Sequence, residues 1–165
     1  MPFPPRGTSQ LRKGRVSLPG TIYFITKSAT IRLEKEAPYT EGILMGEGIP
    51  EIIADSLKWL EEHEFFEIIA YVIMADHIHL LFQLSEKESL QKVMLRFGAH
   101  TGREIAQKLG QTGHIWQNTY YDRAIRSEEE LSIATTYIIE NPIKAGYAET
   151  SDNWRWLYLN EYRGQ

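Results

Sequence analysis

Two histidines separated by one residue, His77 and His79, open the segment His77-Ile78-His79-Leu80-Leu81-Phe82-Gln83-Leu84. In an extended chain, side chains at i and i+2 leave the same face, with Cα atoms roughly 6.5–7 Å apart. Two imidazoles so placed can converge on one divalent cation. Ile78, Leu80 and Phe82 make the other face uniformly apolar, where a core is expected. The same spacing also suits two hydrogen-bonded histidines on a half-exposed strand. Asp76, just ahead, can orient an imidazole, act as a ligand, or simply form the turn.

A second pair lies sixty residues on. Tyr137 and Asn141 are four apart in a helical segment, so both project from one side of it. A phenol and an amide oxygen could together address a metal site beneath them. Alternatively, Tyr137 packs at the edge of the apolar stripe Leu131, Ala134, Ile138 and Ile139, and Asn141 caps the helix before Pro142. A phenol with a pKa of about 10 is neutral at pH 7, and a nearby cation favours the phenolate. The same cation can neutralise a phosphate and orient it for in-line attack. Imidazole suits Mn²⁺ better than Mg²⁺, which prefers oxygen.

The elements that must position these residues follow from pattern. Thr21–Thr26 is β-branched and aromatic and predicts a strand. Residues 35–50, with Gly42, Gly46, Gly48 and two prolines, predict a loop; Pro50 then opens a helix to about His63. The apolar run Phe65–Met74 predicts a buried strand, which Ala75-Asp76 joins to the histidine strand as a hairpin. Residues 87–109 predict a helix, with Leu90, Val93, Met94, Phe97, Thr101, Ile105 and Leu109 along one side and Lys92, Arg96, His100 and Arg103 opposite. Gly110 and Gly113 end it. Residues 115–125 predict a strand or extended segment, on which Tyr120 and Tyr121 face opposite ways. Ser127 with Glu130 has the form of a capping box, opening a helix that Asn141-Pro142 stops at about Glu140. The order is that of a ferredoxin-like α+β domain: one mostly antiparallel sheet with helices packed on one face.

The chain has 165 residues and suits one such domain, preceded by a basic extended arm over residues 1–20. It has no cysteine, which excludes disulfides and thiolate metal sites. No apolar run spans a bilayer and no secretory signal precedes the domain, so a cytoplasmic location without membrane partners is expected. The net charge of −4 conceals zones of both signs. Residues 1–32 hold six basic side chains and no acid; residues 33–67 hold ten acids against two lysines. A chain acidic in total can therefore still offer a basic surface to an anion.

These residues, in this order, resemble a known family. Met74–Leu81 is similar to the His-hydrophobic-His strand of the single-tyrosine transposases. Ile115–Arg126, Tyr137–Gly146, Pro19–Thr26 and Asp152–Trp156 resemble successive segments of the REP-associated tyrosine transposase branch. The resemblance implies a metal-dependent enzyme that cleaves and rejoins single-stranded DNA beside hairpin-forming repeats. It implies that His77 and His79 hold Mg²⁺ or Mn²⁺, with Asn141 in the place of a third ligand that is often Gln. It implies that Tyr137 attacks the phosphorus, giving a 5′-phosphotyrosine and a free 3′-hydroxyl. For the DNA, the basic candidates are Arg12, Lys13 and Arg15 on the arm, Lys92, Arg96 and Arg103 on the long helix, and Arg123. Tyr120, Tyr121 or Trp116 would stack on unpaired bases. One tyrosine per chain makes a homodimer attractive for exchanging two strands. The alternative is a ferredoxin-like nucleic-acid-binding module without catalysis, which leaves the set His77, His79, Tyr137 and Asn141 without a role.

Overall fold

The computed structural model describes residues 2–3 and 17–161. The apolar hairpin expected at the centre of the sequence is also central in space. Strand β2 (Phe66–Ile73) and strand β3 (His77–Leu84) pair antiparallel across the turn at residues 74–76, which Met74 closes by donating its N–H to the His77 carbonyl at 2.8 Å. Strand β1 (Ile22–Ser28) pairs with the other side of β3, and β4 (Tyr121–Ile125) with the outer side of β1. A short last strand, β5 (Leu157–Leu159), lines the free side of β2. The order β4-β1-β3-β2-β5, with every neighbour antiparallel, is the ferredoxin-like arrangement extended by one edge strand. Because β3 lies in the middle, its histidines start the most enclosed strand of the sheet.

The helices do not share one face, as the sequence had suggested. Helices α1 (Ile49–Glu62) and α2 (Leu90–Leu109) pack side by side over Ile25, Ile78, Leu80 and Phe82. Helix α3 (Glu128–Lys144) covers the opposite face, placing Ala134 and Ile138 over Phe24, Val72 and Leu81. The physical reason lies in the strands: both parities of β1, β2 and β3 are apolar, and each buried aliphatic side chain contributes about 1.5–3 kcal/mol, so neither face can stay in water. Phe3, within the expected arm, is buried in this second core, edge-on to Phe24 with ring centroids 6.1 Å apart. Arg12, Lys13 and Arg15 lie outside the described residues.

Three other expectations are corrected. Asn141-Pro142 does not stop α3, which continues to Lys144. Proline removes an N–H and usually breaks a helix. Here Pro142 is buried, its carbonyl accepts the Tyr147 N–H at 2.8 Å, and the helix ends only at Ala145, before Gly146 at φ 75°. Leu109 is 40% exposed and not part of the α2 core stripe. The capping box is half formed: the Ser127 hydroxyl accepts the Glu130 N–H at 3.1 Å, but the Glu130 carboxylate accepts from the Arg126 N–H instead of from Ser127.

Candidate active site

The parity of β3 sends His77, His79 and Leu81 toward α3. His79 is 2% exposed, so it is a buried histidine and not one on a half-open strand. Its Nδ1 shares a hydrogen bond of 2.8 Å with the Thr26 hydroxyl, which stands opposite it on β1. Its ring stacks on Phe24, with centroids 5.5 Å apart. The other ring nitrogen, Nε2, is buried and has no hydrogen-bond partner among the described residues. His77 is more open and its Nδ1 lies 2.8 Å from an Asp76 carboxylate oxygen. The two imidazole centroids are 4.8 Å apart.

Asp76 holds more than the turn. Its second oxygen accepts from the Arg32 guanidinium at 2.9 Å and from the Leu33 N–H at 2.7 Å. Burial by itself raises its pKa, but hydrogen bonds from His77 and Leu33 and the charges of His77 and Arg32 outweigh it, and the net direction is down. Behind the turn, the backbone of Gly42 approaches so closely that a Cβ there would lie 2.4 Å from the Ala75 carbonyl oxygen. The loop 39–45 therefore fixes the strand start that carries His77.

Both imidazoles are thus held through Nδ1, leaving Nε2 as the remaining nitrogen of each. A hydrogen-bonding group on Nδ1 is how proteins commonly orient a metal-binding histidine. The orphaned Nε2 of His79 fits that use, since buried polar atoms are rarely left without a partner. Among the described residues no three His, Asp or Glu side chains gather as a metal cluster, so further ligands would be an amide, water or phosphate oxygen.

Burial, followed by the neighbouring charge of His77, holds the His79 pKa well below its ordinary value. The sign of the consequence follows. The unfolded chain takes up a proton below about pH 6.5 that the folded protein excludes, so stability falls as the pH drops through that range and is unaffected above it. Urea unfolding of the metal-free protein at pH 7.5 and 5.5 should show a loss approaching about 1.4 kcal/mol from this group, which His79→Gln removes. An unchanged pH dependence in that variant would refute the assignment.

Helix α3 brings Tyr137 to this pair. Its ring lies edge-on to His79 at 5.1 Å between centroids and to Phe24 at 5.9 Å. Asn141 is one turn further along the same helix, where its Nδ2 donates weakly to the Tyr137 carbonyl at 3.4 Å. It lies within the helix, not at its C-terminal cap, and no hydrogen bond joins it to either histidine.

The expected DNA-contacting residues are scattered. Lys92, Arg96 and Arg103 ride on α2, across the sheet from the histidines; the first two pair with Glu88 at 3.3 and 3.5 Å. Tyr121 faces the α3 core, edge-on to Phe24 at 6.3 Å, whereas Tyr120 borders the α1–α2 core. Arg123 is largely buried, pairs with Glu130 at 3.1 Å and lies over the Phe3 ring at 4.4 Å. Neither Thr26 nor Lys27 stands out in the sequence alone. Thr26 could have been found once β1 was paired with β3, because the register sets it opposite His79.

Fold and geometry together define the class: a ferredoxin-like domain with a histidine pair on its central strand and a tyrosine on the helix above it. The chain belongs to the IS200-like transposase family, whose model, described as "Transposase IS200 like", matches residues 31–141. That stretch includes His77, His79, Tyr137 and Asn141. The chain is 34% identical over 104 residues to the "Putative REP-associated tyrosine transposase" of Haemophilus influenzae, covering 56% of this chain and 58% of that protein's length. It is 24% identical over 150 residues to the "REP-associated tyrosine transposase" of Escherichia coli K12, covering 89% of this chain and 70% of that protein. A solved REP-associated tyrosine transposase bound to a REP hairpin shares the fold, with a TM-score of 0.68, 21% identity, and coverage of 87% of this chain and 79% of that one. These relatives bear out the resemblance to the REP-associated branch. Among the described residues no helix is long and apolar enough to cross a membrane.

Proposed function

We propose that this protein cleaves and rejoins single-stranded DNA beside a hairpin-forming repeat, through Tyr137. The observation that carries the reading is the buried Nε2 of His79, which has no partner among the described residues, next to His77 and with the Tyr137 ring 5.1 Å from its own. His77 and His79 would hold Mg²⁺ or Mn²⁺ through their Nε2 atoms. The Asn141 carboxamide would be the third ligand after releasing its 3.4 Å bond to the Tyr137 carbonyl. When bound, the cation supplies charge for the phosphate oxygens and favours ionised phenol.

The residues of the chain do the rest. Asp76 and Thr26 fix the two imidazole rings, and Phe24 and Ile138 exclude water from the inner side of the site. Tyr137 Oη forms the bond to phosphorus as its proton passes to solvent. The bond from phosphorus to the departing 3′-oxygen breaks, and that oxygen takes up a proton. The phosphodiester energy is kept in the tyrosyl ester, so rejoining needs no nucleotide cofactor.

The test is incubation of a 3′-labelled hairpin oligonucleotide with the protein and Mn²⁺, followed by denaturing electrophoresis. A labelled DNA–protein adduct is expected; hairpin binding with no adduct under Mg²⁺ or Mn²⁺ would support the binding module instead. A finer test addresses Thr26. Thr26→Val keeps the shape but removes the hydroxyl at His79 Nδ1, and loss of such an outer partner typically weakens metal binding about 10–100-fold. Mn²⁺ titration by calorimetry should show that loss with the thermal transition retained, and an unchanged affinity would remove Thr26 from the site.

A further inference from the structure

Across the sheet from the histidines, a cavity of about 730 Å³ opens between α2 and the segment 113–120. The α2 wall is low there because it is made of Gly98, Ala99 and Gly102. Lys27, on β1, reaches into this cavity and is only 5% exposed. Among the described residues its ammonium makes one hydrogen bond, to the Gln117 carbonyl at 3.3 Å. It lies 5.6 Å from the centre of the Trp116 ring and 5.9 Å from that of Tyr120. Among the described residues no carboxylate pairs with it, although Asp122 lines the same cavity.

A buried ammonium with one weak acceptor and no counter-ion is costly, and proteins rarely keep one without a partner. What it lacks is an anion. The cavity offers that anion a neighbouring aromatic face in the half-buried Tyr120, and amide groups in the exposed Asn118 and Gln91. Aromatic face, amide edges and ammonium together suit a nucleotide, whose base stacks while its phosphate is neutralised. Gly98 keeps the lysine stem free: a Cβ at that position would lie 3.3 Å from Lys27 Cε.

We propose that this cavity binds one unpaired nucleotide of the DNA, with the Lys27 ammonium on its phosphate and its base against Tyr120. The inference rests on the proposed function for its choice of nucleic acid. Register gives the site a purpose. Lys27 stands opposite Ile78, between the positions facing His77 and His79 but on the other side of the sheet. A nucleotide fixed there sets how many bases separate it from the phosphate presented to Tyr137.

The test uses Lys27→Met and a hairpin oligonucleotide with a single-stranded extension, followed by fluorescence anisotropy across a salt series. Loss of one phosphate contact should reduce the slope of log affinity against log salt by about 0.7. A set of oligonucleotides, each with one phosphate replaced by a neutral methylphosphonate, should show one position that weakens wild-type binding about tenfold and leaves Lys27→Met unaffected. A purely structural lysine would move the thermal transition but neither of these readouts. Should Lys27→Met fail to fold, Ala99→Trp fills the cavity mouth from an exposed helix position and should erase the same position-specific effect. An unchanged salt slope with wild-type sensitivity at every phosphate overturns the proposal. So does tight binding of a free nucleoside monophosphate with no effect of Lys27 on DNA. Adduct formation separates the two readings: an adduct with Lys27-independent binding rejects only the cavity, and Lys27-dependent binding without an adduct rejects only the cleavage chemistry.

Discussion

Tyr137→Phe should abolish the covalent adduct, lowering its rate of formation by on the order of 10⁴-fold or more, the scale on which removal of a covalent nucleophile acts. The substitution takes away one oxygen and little else. The ring stays edge-on to His79 and Phe24, at the centroid distances of 5.1 and 5.9 Å set by the packing of α3. Fold, metal affinity and hairpin binding should therefore be retained, which separates chemistry from structure. The measurement is the 3′-labelled oligonucleotide on a denaturing gel, with thermal unfolding and anisotropy as controls. An adduct formed at the wild-type rate would exclude Tyr137 as the nucleophile, and the search would move to another hydroxyl.

Removing both imidazoles should cost nearly as much. His77→Ala with His79→Ala should slow adduct formation by about 10³-fold or more, corresponding to several kcal/mol of lost charge stabilisation at the phosphate. The two positions differ in their structural side effects. His77 is partly exposed and its loss frees Asp76, which keeps Arg32 and the Leu33 N–H. His79 is buried against Phe24, so truncation also opens a cavity and lowers stability. His79→Gln is the better probe of chemistry, because it keeps the volume and loses the imidazole. Rates should be followed against Mn²⁺ concentration, with chelator as the zero point. Wild-type cleavage in chelator, or in the doubly substituted protein, would show that no metal acts through this pair.

Much of this architecture is readable from local pattern. The hairpin at residues 66–84 is announced by two apolar runs around a short turn, and α2 by an apolar stripe from Leu90 to Ile105 that the structure buries. Thr101 belongs to that stripe despite its hydroxyl, because the hydroxyl donates to the Phe97 carbonyl at 2.6 Å and accepts the Trp116 indole N–H at 2.8 Å. Pro142 misled because the rule against proline in helices concerns local geometry, whereas here tertiary burial of the ring lets the helix run on for another turn. The charge pattern was only partly readable for a similar reason. Of the six basic residues in positions 1–32, Lys27 is buried and Arg32 pairs with Asp76, so neither belongs to a free basic arm. The net charge of −4 still leaves a role for cations, but at least one is inside the protein, under α2.

Backbone periodicity alone settled that His77 and His79 leave one face of a strand and that Tyr137 and Asn141 leave one side of a helix, because those relations depend only on residues a few positions apart. Which face each element would cover was decided by the assembled sheet. With both faces of β1, β2 and β3 apolar, two helices took one side and α3 the other, and that choice set Tyr137 over His79 and left the cations of α2 across the sheet. The burial of His79 and Lys27, and hence the orphaned nitrogen of one and the missing counter-ion of the other, arises from groups brought together over 50 to 90 residues, such as Thr26 with His79 and Lys27 with Gln117. Desolvation depends on everything that surrounds an atom, so it exists only once the chain has folded.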